Sequence, residues 1–98
     1  KAFDNSAAVG KFLDLTPDQK RANFTFKLLV NNQEVQRGNS ADMLFKFDSI
    51  VAHISNYFSL NIGDLIFTGT PAGVGECVVG DELEAFLGNQ SLLKLDIK

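Results

Sequence analysis

Apolar residues recur at spacings of three and four in one stretch of this chain. Met43, Leu44, Phe47, Ile50, Val51, Ile54 and Phe58 form a stripe that predicts a helix over roughly 42–58, with Asp42 and Asp48 near its start as caps. Elsewhere the pattern reads as strands. Residues 24–30, Phe-Thr-Phe-Lys-Leu-Leu-Val, form a strand-like run, and Asn31-Asn32 supplies a tight turn into a second strand around 34–37. A short apolar strand follows at 64–67. Residues 82–87, a Gly88-Asn89 turn and residues 91–97 then predict a second hairpin. The stretch 10–22, with Pro17 and several charges, reads as a surface connection carrying at most one helical turn. The element count is β-rich α+β with one packed helix.

The most unusual local feature is the run Gly63-Asp64-Leu65-Ile66-Phe67-Thr68-Gly69-Thr70-Pro71-Ala72-Gly73-Val74-Gly75. A strand delivers a threonine into a bend whose glycines and proline permit backbone conformations closed to other residues. Its N–H groups and hydroxyls can then turn toward an anionic oxygen. A nucleotide phosphate is not the expected anion, since a P-loop requires Lys followed by Ser or Thr after its last glycine, and Gly75 is followed by Glu76. A structural corner and a carboxylate cradle both remain open on the residues alone.

Composition narrows the class. The 98 residues are 45% hydrophobic with nine Phe, enough for one small domain, and no run approaches the roughly 18 apolar residues of a membrane-spanning helix. The net charge of −3, with nine scattered basic residues, argues against a nucleic-acid partner, and nothing favours a membrane surface. The single Cys77 cannot form an internal disulfide, fits a reducing cytoplasmic setting, and reads as a half-buried structural thiol. The chain opens on Lys1 rather than Met, which suggests a cut polypeptide.

The 63–75 run followed by Gly80-Asp81 resembles the C-terminal signature of the fumarylacetoacetate hydrolase family. Lys1-Ala2-Phe3-Asp4-Asn5-Ser6 and Gly38-Asn39-Ser40-Ala41-Asp42-Met43 extend the resemblance to the whole chain, in the order and spacing of small bacterial isomerases, decarboxylases and acylpyruvate hydrolases. The resemblance implies a mixed β-sheet roll, of which residues 1–98 form the C-terminal part of a single catalytic domain. It also implies Mg²⁺- or Mn²⁺-dependent chemistry on a short 2-oxo carboxylate, with the metal ligands and the catalytic His and Glu upstream of this chain. Thr68, with the neighbouring backbone amide of Gly69, is implied to hold the substrate carboxylate. Lys1, opening the Lys-Ala-Phe motif, is implied as the catalytic cation that stabilises a developing enolate or oxyanion. Family members are commonly homodimers. One departure is Ala7-Ala8, where many relatives carry Cys-Pro.

Three other candidates read as structural. Glu82-Leu83-Glu84 has the spacing of the family's metal-binding Glu-x-Glu pair but the wrong place in the chain, so it is expected on the solvated face of a hairpin strand. His53, the only histidine, falls off the apolar stripe and is expected at the surface. Asp64 reads as a turn residue. The alternative from another class is a noncatalytic β-rich binding or assembly module in which the glycine bend is only a corner. A longer parent sequence containing His-x-x-Glu, Glu-x-Glu and a later Asp would decide for the enzyme.

Overall fold

The structure, a computed structural model, describes residues 4–18 and 23–98. Lys1 therefore lies outside the described residues. Four strands form one sheet: β1 (Thr25–Val30), β2 (Gln33–Asn39), β3 (Glu82–Leu87) and β4 (Gln90–Asp96). Their order across the sheet is β2-β1-β3-β4, and each neighbouring pair is antiparallel. The two hairpins are joined through β1 and β3, so the contact between them is made by residues more than fifty positions apart in the chain.

The turns explain the hairpins. Asn31 and Asn32 sit at φ 50° and 64°, the left-handed pair that a two-residue hairpin loop requires and that asparagine tolerates better than most side chains. Asn31 then does a second task. Its amide nitrogen donates to Asp81 Oδ1 (2.8 Å) and its amide oxygen accepts from the Glu82 N–H (3.0 Å), while Asp81 Oδ2 accepts from the Val78 N–H (3.0 Å). The tip of the first hairpin is thereby fastened to the start of β3.

Register separates the two faces of the sheet. Phe26, Leu28 and Val30 pair with Leu87, Ala85 and Leu83, and the last two pair onward with Leu93 and Leu95. That face is apolar. The other carries Lys27 beside Arg37 and Phe86, with Glu84 opposite Lys94 and Glu82 opposite Asp96. The Lys27 ammonium lies 4.8 Å from the centre of the Phe86 ring, and Lys94 pairs with Glu82 at 3.0 Å.

Each outer strand carries one extra residue. Leu28 faces Gln36 while Leu29 faces Glu34, which leaves Val35 bulged from β2; Ala85 faces Leu93 while Phe86 faces Ser91, which leaves Leu92 bulged from β4. A bulge releases a residue from the ladder and turns its backbone outward. Both released carbonyls meet a loop: the Leu92 oxygen accepts from the Lys11 N–H (2.9 Å), and the Val35 oxygen abuts Gly73.

The helical stripe resolves into two pieces. Ser40–Asp42 is a short 3-10 turn capped by Asn39, whose side chain accepts from the Ala41 N–H (2.9 Å), and α1 spans Phe47–Ser55. The expected helix over 42–58 is thus too long. Ser40 is tied twice to Phe24, the residue before β1, its N–H donating to the Phe24 carbonyl and its hydroxyl accepting from the Phe24 N–H, so the 3-10 turn follows the sheet. Met43 and Lys46 are extended, which carries the chain from the sheet to the start of α1. Asp42 consequently belongs to the 3-10 turn, and Asp48 lies in the first turn of α1 without capping it. The expected strand at 64–67 also fails to form, because no strand lies beside it to complete a ladder among the described residues.

Candidate functional site

Residues 65–77 form a long loop without secondary structure that passes over the β2 edge. Its Thr68-Gly69-Thr70-Pro71 stretch faces the segment Gly38–Ser40 across a groove of about 720 Å³. Phe24, Phe26, Leu87 and Leu92 line it from the sheet and its flanks, and Met43, Phe45, Phe47 and Ile50 line it from α1 and the segment that leads into it. The groove is therefore mostly apolar, with Lys11, Arg37, Asn39 and Asp42 also on its lining and a polar lip where the loop meets the end of β2. Its volume lies within the usual range for small-molecule sites.

Two glycines shape the lip. Gly73 has φ +101°, and a β-carbon there would run into the Val35 carbonyl oxygen and lie 3.1 Å from Gln36 Cγ, so only glycine lets the loop approach the bulge this closely. Gly69 has φ +98° with open space around it, which leaves its backbone accessible beside Thr68.

Three hydroxyls line the groove, and they are not equivalent. Ser40 Oγ accepts from the Phe24 N–H, and Thr70 Oγ1 accepts from the Gln36 amide (2.9 Å). The Thr68 hydroxyl has no hydrogen-bond partner among the described residues. A hydroxyl left unpaired beside a glycine of positive φ is able to donate to an incoming carboxylate together with a backbone N–H.

The model of the fumarylacetoacetate (FAA) hydrolase C-terminal domain matches residues 1–98. The chain belongs to the fumarylacetoacetate hydrolase family. The four-stranded sheet with one helix is the C-terminal fold of the fumarylacetoacetate hydrolase family. Similarity to the oxaloacetate tautomerase YcgM of Escherichia coli K12 is 41% identity over 95 residues, covering 94% of this chain and 42% of that protein. A 4-hydroxyphenylacetate degradation bifunctional isomerase/decarboxylase of Escherichia coli is 41% identical over 61 residues, covering 62% of this chain and 14% of that protein. Among solved structures, a fumarylpyruvate hydrolase of Pseudomonas aeruginosa in complex with Mn²⁺ and pyruvate superposes with a TM-score of 0.71 at 28% identity, covering 76% of this chain and 32% of that one. This chain spans less than half the length of these relatives.

Within the fumarylacetoacetate hydrolase frame, Thr68 and Gly69 stand together on the groove lip. Glu82 and Glu84 lie on the polar face, Glu82 paired with Lys94 and Glu84 accepting from the Ser91 hydroxyl (2.7 Å). Among the described residues no three His, Cys, Asp or Glu side chains gather around one point. A divalent ion like that of the Pseudomonas aeruginosa relative does not fit the donor set these residues present.

Asp64 makes a turn, its carboxylate accepting from the Asn61 N–H (2.7 Å). His53 is exposed on α1, tilted against Tyr57 with ring centres 5.4 Å apart and away from the groove. Cys77 corrects an expectation: it is exposed rather than half-buried, because residues 72–80 run along the surface outside any strand.

Sequence reasoning missed Gln36. Its side-chain amide nitrogen donates to Thr70 Oγ1 and to the Pro71 carbonyl (3.0 Å). Glutamine in a polar stretch of β2 carries no signal of such a partnership.

Proposed function

We propose that this chain supplies the carboxylate-holding part of an enzyme acting on short 2-oxo carboxylates, by C–C hydrolysis, decarboxylation or keto–enol and double-bond isomerisation. The observation that carries the reading is the Thr68 hydroxyl, set without a partner among the described residues beside the Gly69 backbone in a mostly apolar groove. The relatives' reactions support it, since tautomerisation, decarboxylation and acylpyruvate cleavage all develop negative charge on an enolate oxygen. Holding the carboxylate at one end orients the 2-oxo group, and a cation placed near the developing charge lowers the barrier.

In this reading Lys1 is the cation. The divalent ion, Mg²⁺ or Mn²⁺, would be held by residues other than those of this chain and would supply Lewis-acid stabilisation of the developing negative charge. Those residues belong to the rest of one catalytic domain, with residues 1–98 as its C-terminal part. The exposure of Phe12 (78%), Leu44 (94%) and Phe67 (72%) supports that arrangement, because an apolar surface of this extent is expected to be covered. The reading places the enzyme in the cytoplasm as a homodimer, and the lone exposed Cys77 is compatible with a reducing compartment.

The test is Thr68→Val in the complete gene product, assayed with Mg²⁺ or Mn²⁺ on oxaloacetate and on an acylpyruvate. Loss of the donor should weaken substrate binding by about 1–3 kcal/mol, read as a higher KM with the fold intact. A well-folded variant with wild-type kinetics on every substrate turned over would remove Thr68 from the site and with it this reading.

A further inference from the structure

Residues 65–77 join no ladder, yet the groove depends on where they lie. Among the described residues, the hydrogen bonds tying this loop to the sheet all come from Gln36, through Thr70 Oγ1 and the Pro71 carbonyl. The orientation of that amide is fixed by chemistry. A proline carbonyl only accepts, so the Gln36 nitrogen must face it, and each of its two N–H groups then has one partner. Because Thr70 Oγ1 accepts from Gln36, its own proton is left to point elsewhere. The loop also approaches β2 closely at Gly73, against Val35 and Gln36 Cγ, so the same two residues of β2 meet the loop at two points.

We propose that Gln36 is a positioning residue for the carboxylate site: its amide pins Thr70 and Pro71 to β2 and thereby sets Thr68 and Gly69 at the groove lip. The proposal rests on the functional reading above. The bulge makes it possible. Skipping Val35 keeps Gln36 opposite Leu28, on the apolar face of the sheet, while Val35 turns its carbonyl toward the loop.

The experiment uses the complete gene product with Mn²⁺ and compares Gln36→Met, which keeps length and loses both donors, with Gln36→Glu. Hydrogen exchange of residues 65–77, followed by mass spectrometry, reads the grip without reference to activity. Gln36→Met should speed exchange in that loop and leave β1 and β3 protected. It should also raise KM for oxaloacetate and weaken pyruvate binding by about tenfold, with kcat changed less than about threefold. Gln36→Glu carries a rescue: its carboxylate cannot donate to the Pro71 carbonyl, whereas its protonated form can, so KM should fall toward wild type as the pH drops toward the Glu range. The same variant decides the matter if Gln36→Met does not fold.

Unchanged loop exchange in either variant overturns the grip. Faster exchange with unchanged KM and pyruvate affinity overturns the positioning role. If Thr68→Val is also silent, the carboxylate reading has failed and the positioning role falls with it, while the exchange data still judge the grip. If Thr68→Val raises KM and Gln36→Met does not, the positioning role alone is wrong.

Discussion

Gly73→Ala tests the closest contact on which the loop depends. Alanine at φ +101° costs on the order of 1–3 kcal/mol in backbone strain. Its methyl would also overlap the Val35 carbonyl oxygen, so the loop must withdraw by about 1 Å or more to restore ordinary separation. Withdrawal of that size stretches the Gln36 bonds, now 2.9 and 3.0 Å, beyond useful length, at about 0.5–1.5 kcal/mol each. The loop has no ladder to lose, so local release is easier than global unfolding. The expected outcome in the complete gene product is therefore a small shift of the urea midpoint, fast exchange over 65–77, and a KM raised by about tenfold or more. Gly75→Ala is the control, since that glycine has no positive φ and nothing within 4 Å of a β-carbon. Relieving unfolded-state freedom there should leave stability unchanged or raise it by up to about 1 kcal/mol. If Gly73→Ala and Gly75→Ala behave alike in KM and loop exchange, the close approach to Val35 does not set the loop and the reasoning fails.

The Asp81 carboxyl is held below the usual aspartate value of 3.8, first by the Val78 N–H and then by the Asn31 amide. Its contribution to stability is therefore present above pH 3.8 and lost as the pH falls through the lower folded value; Asp81→Asn should flatten the acid limb of a denaturation midpoint against pH below about 4. An unchanged acid limb would show that the hairpin joint does not depend on this charge. For Lys1→Met, kcat should fall much more than KM rises, as expected of a charge that acts chiefly in the transition state. A kcat within about twofold of wild type would remove Lys1 from the chemistry.

Local patterns carried the hairpins because their causes are local. Asn31-Asn32 and Gly88-Asn89 specify tight turns, and the runs beside them alternate well enough to set both strands within a residue or two. The helix was overestimated because spacing at three and four says nothing about tethering: Met43 and Leu44 keep the stripe's phase, but Ser40 is bonded to Phe24 and the chain must extend before α1 can start. Val51 shows the same gap, since it belongs to the stripe and is 45% exposed, whereas Ile50 and Ile54 are half-buried. The strand expected at 64–67 needed a neighbour, and neighbours are a property of topology rather than of the segment.

The bulges were the least legible feature and have the largest consequence for the site. Nothing in Gln33-Glu34-Val35-Gln36-Arg37 shows that Val35 leaves the ladder; that follows only from β2 having to match β1 on both sides of Leu28 and Leu29. Had the ladder run without interruption, alternation would have put Val35 on one face and Glu34 and Gln36 together on the other. With the bulge, Glu34 stays on the polar face, where it pairs with Arg37 (2.8 Å), and Gln36 passes to the apolar one. The pairing lowers the Glu34 carboxyl and raises the Arg37 guanidinium. One extra residue thus sorts two neighbouring polar side chains to opposite faces, a surface ion pair on one side and the grip on the glycine loop on the other. A signature motif at 63–75 can be read from sequence, but the residue that holds it in place is selected by a register shift on a different strand.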